Sequence, residues 1–228
     1  MQTRFEKVSF SYGSVHALTD VSFTVPTGQT VALLGANGAG KSTAVDLMLG
    51  LRRPHRGTVT VLGGQPAAAV AAGRVGAMLQ TGGLPADSTV GEVVDLARCL
   101  YGKRRTLASI LDLAGLTELQ RRRVDRLSGG QAQRVRFAVA MAGKPDLLFL
   151  DEPTVALDFK ARRQFWKTVK SEGNTVVFAT HYLDEADEYA DRVIVIDRGR
   201  VVADGEPAVI KGDSSLEHAL VELTEEEL

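Results

Sequence analysis

The sequence has little that could cross-link it or hold it in a membrane. Its 228 residues include a single cysteine, Cys99, so no disulfide can form within the chain. This is compatible with a reducing compartment. No apolar run approaches the roughly 20 residues that a transmembrane helix needs, and the first ten residues carry charges where a signal peptide has its apolar segment. We therefore expect any membrane role to be exercised from the cytoplasmic face, through a partner.

An excess of charge of one sign is also lacking. The chain has 27 Lys and Arg residues against 28 Asp and Glu residues, a formal net charge of −1 at pH 7. No overall basic field would recruit nucleic acid, so nucleic acid is not an expected partner. Aromatic residues make up only 6% of the chain, but the hydrophobic content of 44% is ordinary for a globular protein. A core can therefore form without disulfides or structural metals.

The hydrophobic pattern divides the chain into strand-like and helix-like segments. Residues 4–33 contain short alternating runs broken by glycine and proline, which is typical of antiparallel strands. Residues 30–34 are almost continuously apolar, as expected of a strand buried on both faces. Residues 90–144 have a helical pattern instead. Further strands are predicted at 58–62, 75–79, 147–150, 175–179, 193–196 and 201–202, and further helices at 161–169 and 216–228.

A glycine-rich stretch after residues 30–34 has the spacing of a phosphate-binding loop. Residues 35–42 match G-x-x-x-x-G-K-[ST] between a predicted strand and a predicted helix. Glycines let backbone N–H groups converge on phosphate oxygens, and the helix start adds a positive field. Lys41 would reach the β- and γ-phosphates, Ser42 would hold Mg²⁺, and Thr43 would assist at the α-phosphate. The stretch predicts a nucleoside triphosphate site, with loop ligands Gly35, Asn37, Gly38, Ala39 and Gly40.

Two carboxylates follow the apolar strand predicted at 147–150. Asp151 and Glu152 stand at its carboxyl end, where parallel sheets bind their ligands. Asp151 would orient water on Mg²⁺, and Glu152 would take a proton from the attacking water. A strand followed by acidic residues is common by itself. Its combination with the Lys41 loop favours the catalytic interpretation.

These segments together predict an α/β fold. The fold is a P-loop nucleoside triphosphatase core with a parallel sheet, an amino-terminal antiparallel β layer and an inserted α-helical subdomain. We expect one domain over 1–228, with the core formed by 1–80 and 146–211. Residues 81–145 would form the helical subdomain, and 212–228 a short carboxyl-terminal helix.

Residues 127–131 read Leu-Ser-Gly-Gly-Gln, and with this motif the chain resembles the nucleotide-binding subunits of ABC transporters over essentially its whole length. In that family the signature loop opens a helix and contacts the γ-phosphate of the nucleotide held by the other subunit. A serine hydroxyl and glycine N–H groups at a helix start suit an anion. The resemblance implies a second ATPase subunit, in a homodimer or a heterodimer, whose ATP site is completed by Ser128, Gly129, Gly130 and Gln131.

Four smaller matches to the family concern single residues. Tyr12 is placed like the aromatic residue that stacks on adenine, and Gln80 like the glutamine that touches Mg²⁺ and links the core to the helical insert. His181 matches the switch histidine near the γ-phosphate. Asp158 matches the aspartate of the loop that crosses the dimer interface, although Phe159 follows it where the family often has proline. Catalytic roles are thus implied for Gln80 and His181 beside Lys41 and Glu152.

Three stretches resemble the drug- and polyketide-export branch of bacterial ABC proteins, the branch associated with antibiotic resistance. They are residues 79–85, 89–92 and 215–224. The resemblance implies export of a small hydrophobic compound through a separate polytopic permease. A lipid or polysaccharide exporter, an importer, and a soluble ABC ATPase without a transport role stay open as alternatives.

Overall fold

The computed structural model describes residues 2–79, 83–102 and 104–225. The strands are β1 (Thr3–Tyr12), β2 (Val15–Val25), β3 (Thr30–Leu34), β4 (Arg56–Thr60), β5 (Val75–Met78), β6 (Leu147–Asp151), β7 (Thr175–Ala179), β8 (Arg192–Asp197) and β9 (Arg200–Gly205). The helices are α1 (Lys41–Met48), α2 (Pro66–Ala71), α3 (Val90–Leu100), α4 (Leu107–Leu113), α5 (Gly129–Met141), α6 (Phe159–Ser171), α7 (Leu183–Tyr189), α8 (Pro207–Lys211) and α9 (Leu216–Glu225). Short 3₁₀ segments lie at Thr117–Leu119 and Val124–Arg126.

The chain forms two compact units. The first comprises Met1–Ala71 and Thr175–Leu228, and the second comprises Ala72–Asn174. This division places β5, β6 and α6 in the same unit as α3, α4 and α5. The boundaries expected from the sequence, which set 81–145 apart as a helical subdomain, stay a prediction.

The first unit contains the predicted antiparallel layer. Its strands lie in the order β2-β1-β4, and β1 is antiparallel to both neighbours. Thr3, Phe5, Val8 and Phe10 of β1 are buried, an alternation that shifts by one residue between Phe5 and Val8. The ring of Phe5 stacks on that of Phe23 with centroids 4.4 Å apart. The period of two seen in the sequence therefore reflects a sheet with one face in the core.

A second sheet in the first unit carries the strand that precedes the glycine-rich loop. β3 pairs in parallel with β7 on one side and with β8 on the other, while β9 closes the edge antiparallel to β8. All five residues of β3 are buried, as its apolar run predicts. The loop after β3 is thus anchored on a strand with neighbours on both sides.

The second unit combines two parallel strands with helices. β5 pairs in parallel with β6, and α5 packs against β5 and against α3 and α4. An aromatic cluster fills its core: the rings of Phe137 and Phe165 meet edge to face at 4.9 Å, and Phe165 meets Trp166 at 5.7 Å. The outer side of α3 exposes Cys99. None of the helices in the described part of the chain is long and apolar enough to cross a bilayer.

Helix α3 begins with a capping box formed by Thr89 and Glu92. The Thr89 hydroxyl accepts from the Glu92 N–H at 3.3 Å, and the Glu92 carboxylate accepts from the Thr89 N–H at 2.7 Å. Donation by the Thr89 backbone, and then by its hydroxyl, lowers the pKa of Glu92. The ionised carboxylate therefore stabilises the folded state at pH values above the ordinary glutamate pKa. This contribution is lost as the pH falls through the lowered pKa.

Glu92→Gln is expected to lower the melting temperature at neutral pH by about 1–3 °C, because it removes a charge that the helix start favours. The deficit relative to wild type should shrink as the pH falls through the lowered pKa of Glu92. Thermal unfolding followed by circular dichroism from pH 7 downward measures it. Glu188→Gln, at an exposed position of α7, is the matched control. A deficit that is constant with pH would contradict this role of Glu92.

Candidate functional site

The glycine-rich loop lies between β3 and α1, as the motif requires. The N–H of Ala39 donates to the carbonyl of Ala36 at 3.2 Å and closes a turn. Asn37 and Gly38 are exposed at its tip, whereas Ala39 and Gly40 are buried. The loop therefore presents its tip to solvent and anchors its second half in the first unit.

Two glycines of the loop are required by close approaches of neighbouring backbone. Gly35 has φ of 144°, and a Cβ atom there would lie 2.0 Å from the carbonyl oxygen of Ile196 on β8. Gly40 has φ of 113°, and its Cβ would lie 2.6 Å from the carbonyl oxygen of Ala17 on β2. Since no side chain fits at either point, the loop can follow this path only with glycine.

Lys41 folds back over the loop. Its Nζ donates to the carbonyl of Gly35 at 2.8 Å and to that of Ala36 at 2.9 Å. In the next two positions of α1, Ser42 is exposed and Thr43 is buried. The ammonium group and the first N–H groups of α1 concentrate positive charge at the loop, which suits a phosphate chain.

Tyr12 stands at the end of β1 and is 41% exposed. The guanidinium carbon of Arg52 lies 4.8 Å from its ring centroid, and Phe10 meets the ring edge to face at 5.0 Å. Arg52 also forms an ion pair with Asp46 of α1 at 3.6 Å. These contacts connect the predicted adenine-stacking residue to the helix that follows the phosphate loop. Sequence reasoning missed Arg52, and no local pattern pairs residues this far apart.

Arg52→Ala is expected to raise the KM for ATP about two- to fivefold with little change in kcat, because an exposed cation–π contact is worth about 0.5–1 kcal/mol. Loss of the cation would free the Tyr12 ring to leave the position in which it is predicted to stack on adenine. Steady-state ATPase kinetics measure the effect, with Arg53→Ala at the adjacent exposed residue as the control. Equal KM changes in both variants would contradict the role given to Arg52.

The strand register brings His181 to the beginning of the loop. Leu33 of β3 pairs with Ala179 of β7, so Gly35 and His181 each follow two residues later at the same sheet edge. His181 is exposed, and its ring centroid lies 4.1 Å from that of Tyr182. The first unit thus brings the predicted loop and the predicted histidine to one edge.

In the second unit, Asp151 ends β6 and Glu152 follows it, both half-buried. Glu152 has φ of 48°, a left-handed conformation that costs a non-glycine residue about 1–2 kcal/mol. The sequence predicted the carboxylate pair but not this backbone conformation. Strain of this kind is concentrated at functional sites.

The predicted signature loop opens α5 with a second capping box. The Ser128 hydroxyl accepts from the Gln131 N–H at 3.3 Å, and the Ser128 N–H donates to the Gln131 side chain at 3.0 Å. Ser128 and Gly129 are exposed at the positive end of a 13-residue helix. The loop therefore presents a hydroxyl and a helix start to solvent.

Residues 152–158 pack beneath this loop. A Cβ atom at Gly130 would lie 3.0 Å from the carbonyl oxygen of Ala156, so the two backbones are almost in contact. At the end of the segment, Asp158 caps α6 by accepting from the Ala161 N–H at 2.8 Å. The second unit thus joins the signature loop to the segment that begins with Glu152. The role of Asp158 across a dimer interface stays a prediction.

The side chains predicted to bind the metal suit Mg²⁺, which needs few protein ligands, rather than a metal that is surrounded by protein ligands alone. The described residues contain no cluster of three or more His, Cys, Asp or Glu side chains that could hold a metal. The Ser42 hydroxyl in the first unit and the Asp151 carboxylate in the second unit are each at least partly accessible. That the two bind one Mg²⁺ stays a prediction. Mg²⁺ typically takes one or two protein oxygens and completes its shell with phosphate and water. Gln80, the third predicted metal contact, lies outside the described residues.

Comparisons with known proteins agree with this geometry. The family described as ABC transporter matches residues 18–155. Nod factor export ATP-binding protein I of Rhizobium leguminosarum bv. viciae is 37% identical over 229 residues, covering 94% of this chain and 69% of the relative. A solved ATP-binding subunit of an ABC transporter is 28% identical with a TM-score of 0.87, covering 98% of this chain and 99% of that one. A dimeric post-hydrolysis cassette bound to ADP and phosphate is 26% identical with a TM-score of 0.80, covering 90% and 98%.

The chain belongs to the ABC transporter family. It is an ATP-binding and ATP-hydrolysing cassette, and the predicted fold class is confirmed. The roles of the individual site residues stay predictions, which the geometry described above makes specific.

Proposed function

We propose that this cassette drives export of a small hydrophobic compound through a separate membrane permease at the cytoplasmic face of the membrane. The observation that carries the direction of transport is the similarity to Nod factor export ATP-binding protein I, at 37% identity over 94% of this chain. The stretches 79–85 and 215–224, which resemble the drug- and polyketide-export branch, point the same way. A drug as cargo, and with it antibiotic resistance, stays a prediction.

In the proposed mechanism the first unit binds the nucleotide. Lys41 and the α1 start hold the phosphates, and Tyr12 stacks on the base. Ser42 and Asp151 would hold Mg²⁺, which would neutralise phosphate charge. The hydrolytic base is Glu152, which takes a proton from the attacking water as it adds to the γ-phosphate. His181, at the edge where the loop begins, contacts the γ-phosphate.

A second ATPase subunit completes each site in this proposal. Ser128 and Gly130 of one subunit contact the γ-phosphate bound by the other, so ATP holds the two together and hydrolysis loosens them. The support is the helix start with its exposed hydroxyl, together with the dimeric form of the 26% identical cassette. Both half-sites have their consensus residues in this chain, so we propose a homodimer, with a heterodimer as the alternative.

Affinity purification of the tagged chain from detergent-solubilised membranes tests the partner. We expect a polytopic permease at matched stoichiometry, identified by mass spectrometry. Reconstitution of that pair in vesicles then gives the direction of transport. ATP-dependent uptake into inside-out vesicles supports export, and movement the other way indicates an importer. Purification with soluble partners alone would overturn the transport proposal in favour of a soluble ABC ATPase.

The labelled cargo that the permease moves in the same vesicles separates the remaining exporter classes. A permease that moves a fluorescent hydrophobic drug supports the proposed cargo. A permease that moves only labelled lipid or polysaccharide assigns the chain to that alternative.

A further inference from the structure

Gln133 is a buried polar residue on the inner side of α5. It lies two residues beyond the signature loop and is 6% exposed. Phe137 and Ala140, on the same helix face, are buried apolar residues. A polar side chain in such a stripe is costly unless its hydrogen bonds are made.

The hydrogen bonds of Gln133 are directed at the backbone next to Glu152. Its Nε2 donates to the carbonyl of Glu152 at 2.9 Å and to that of Pro153 at 3.0 Å. Nη1 of Arg136 donates to the Gln133 Oε1 at 3.0 Å. Because a guanidinium can only donate, the amide oxygen must face Arg136 and the amide nitrogen must face the two carbonyls. The orientation of the amide is therefore fixed by chemistry.

The two carbonyls lie where the backbone is strained. Glu152 has φ of 48°, and such a conformation persists only where its surroundings hold it. The amide of Gln133 thus binds the carbonyls of two successive peptide groups, Glu152–Pro153 and Pro153–Thr154. It therefore restrains the peptide that sets the direction of the Glu152 side chain.

The same helix contacts this segment a second time through the signature loop. Gly130 approaches the backbone of Ala156, which also has positive φ, at 67°. The first two turns of α5 thus contact the beginning of the segment, at Glu152 and Pro153, and its later part, at Ala156. These contacts link the position of the signature loop to the backbone at Glu152.

We propose that Gln133 is a positioning residue that couples the signature loop to the catalytic carboxylate of the same subunit. Contact of Ser128 with the partner's nucleotide fixes α5, and Gln133 then holds Glu152 in its productive backbone conformation. Each subunit hydrolyses its own ATP efficiently once its signature loop has engaged the other. The inference rests on the proposed roles of Glu152 and Ser128.

Gln133→Met keeps the length of the side chain and removes its amide. In the assembled transporter it is expected to lower kcat roughly 30- to 100-fold, since small misplacements of a catalytic group have effects of this size. The KM for ATP should stay within about twofold, because no phosphate contact changes. The proposed coupling predicts that ATP hydrolysis by the wild type is cooperative in ATP, and this cooperativity should be lost in the variant. Arg134→Met, which removes a bond from α5 to the carbonyl of Gly115, is the control for general loosening of the helix.

A double-mutant cycle separates positioning from stability. In the Glu152→Gln background, Gln133→Met should cause no further loss of the residual turnover, since its effect passes through Glu152. An equal fold-loss in both backgrounds would overturn the inference. If Gln133→Met does not fold, Arg136→Met replaces it, with an expected kcat loss of about three- to tenfold from one hydrogen bond. A wild-type kcat and wild-type cooperativity in Arg136→Met would also overturn it.

Failure of the proposed role of Glu152 gives a different result from failure of the coupling inference. If Glu152→Gln itself keeps wild-type turnover, the base assignment fails regardless of Gln133. If Glu152→Gln is inactive while Gln133→Met retains the kcat and cooperativity of wild type, the coupling inference alone fails.

Discussion

Glu152→Gln is expected to lower kcat about 100- to 10,000-fold, the contribution usual for a general base. ATP binding should survive, because the change leaves Lys41 and the loop at 35–42 intact. The amide cannot accept the proton of the attacking water, so ATP stays uncleaved and the dimer stays closed. Size-exclusion chromatography with ATP should show a stable dimer that wild type forms only transiently.

Steady-state phosphate release measures the turnover of this variant. Glu188→Gln, at an exposed position of α7, makes the same chemical change at a residue with no predicted catalytic role and should behave as wild type. Turnover near the wild-type rate in Glu152→Gln would remove Glu152 from the role of base. Loss of turnover without a trapped dimer would support Glu152 as the base. It would argue against the proposal that bound ATP holds the two subunits together.

Lys41→Ala is expected to lower turnover about 100- to 1,000-fold, as removal of a preorganised cationic group from a transition state does. It should also weaken ATP binding, which distinguishes it from the Glu152 variant. The Lys41 ammonium bridges the carbonyls of Gly35 and Ala36, so its loss also removes a restraint on the loop. Fluorescent-nucleotide titration gives the affinity, and phosphate release gives the rate.

Lys167→Ala, at an exposed position of α6, is the matched control for this variant, and it should keep the wild-type affinity and rate. Wild-type nucleotide affinity in Lys41→Ala would show that the loop binds phosphate without the ammonium. The binding role would then rest on the backbone N–H groups and the α1 start alone.

The buried strands were the part of the fold that the sequence predicted best. All five residues of β3 and the first four of β6 are buried. Burial on both faces demands an unbroken apolar run, which is visible without a structure. The short helix α2 was not predicted, since the six residues of Pro66–Ala71 span less than two turns and have no polar residue to mark a helical period. Long, strongly patterned elements leave a signal in the sequence, and elements this short do not.

Some residues of the candidate site were likewise predictable from the sequence, and others were not. The phosphate loop was predictable because its glycines meet a backbone constraint that few other residues satisfy, as Gly35 shows against Ile196. The positive φ of Glu152 was not, because nothing local distinguishes it from an ordinary acidic residue after a strand. Gln133 left one signal that sequence reasoning passed over, a polar residue within the apolar stripe of α5. Arg52 left none, since its contact with Tyr12 depends on tertiary structure.

The single cysteine has a practical consequence for following how the second unit responds to nucleotide. Cys99 is exposed on α3, in the unit that carries the signature loop and Glu152. Since the chain holds only this thiol, a maleimide probe attaches at one defined position of the wild-type sequence. A nitroxide or fluorophore placed there becomes a native reporter, whose spectrum follows α3 through each nucleotide state without any engineered label site.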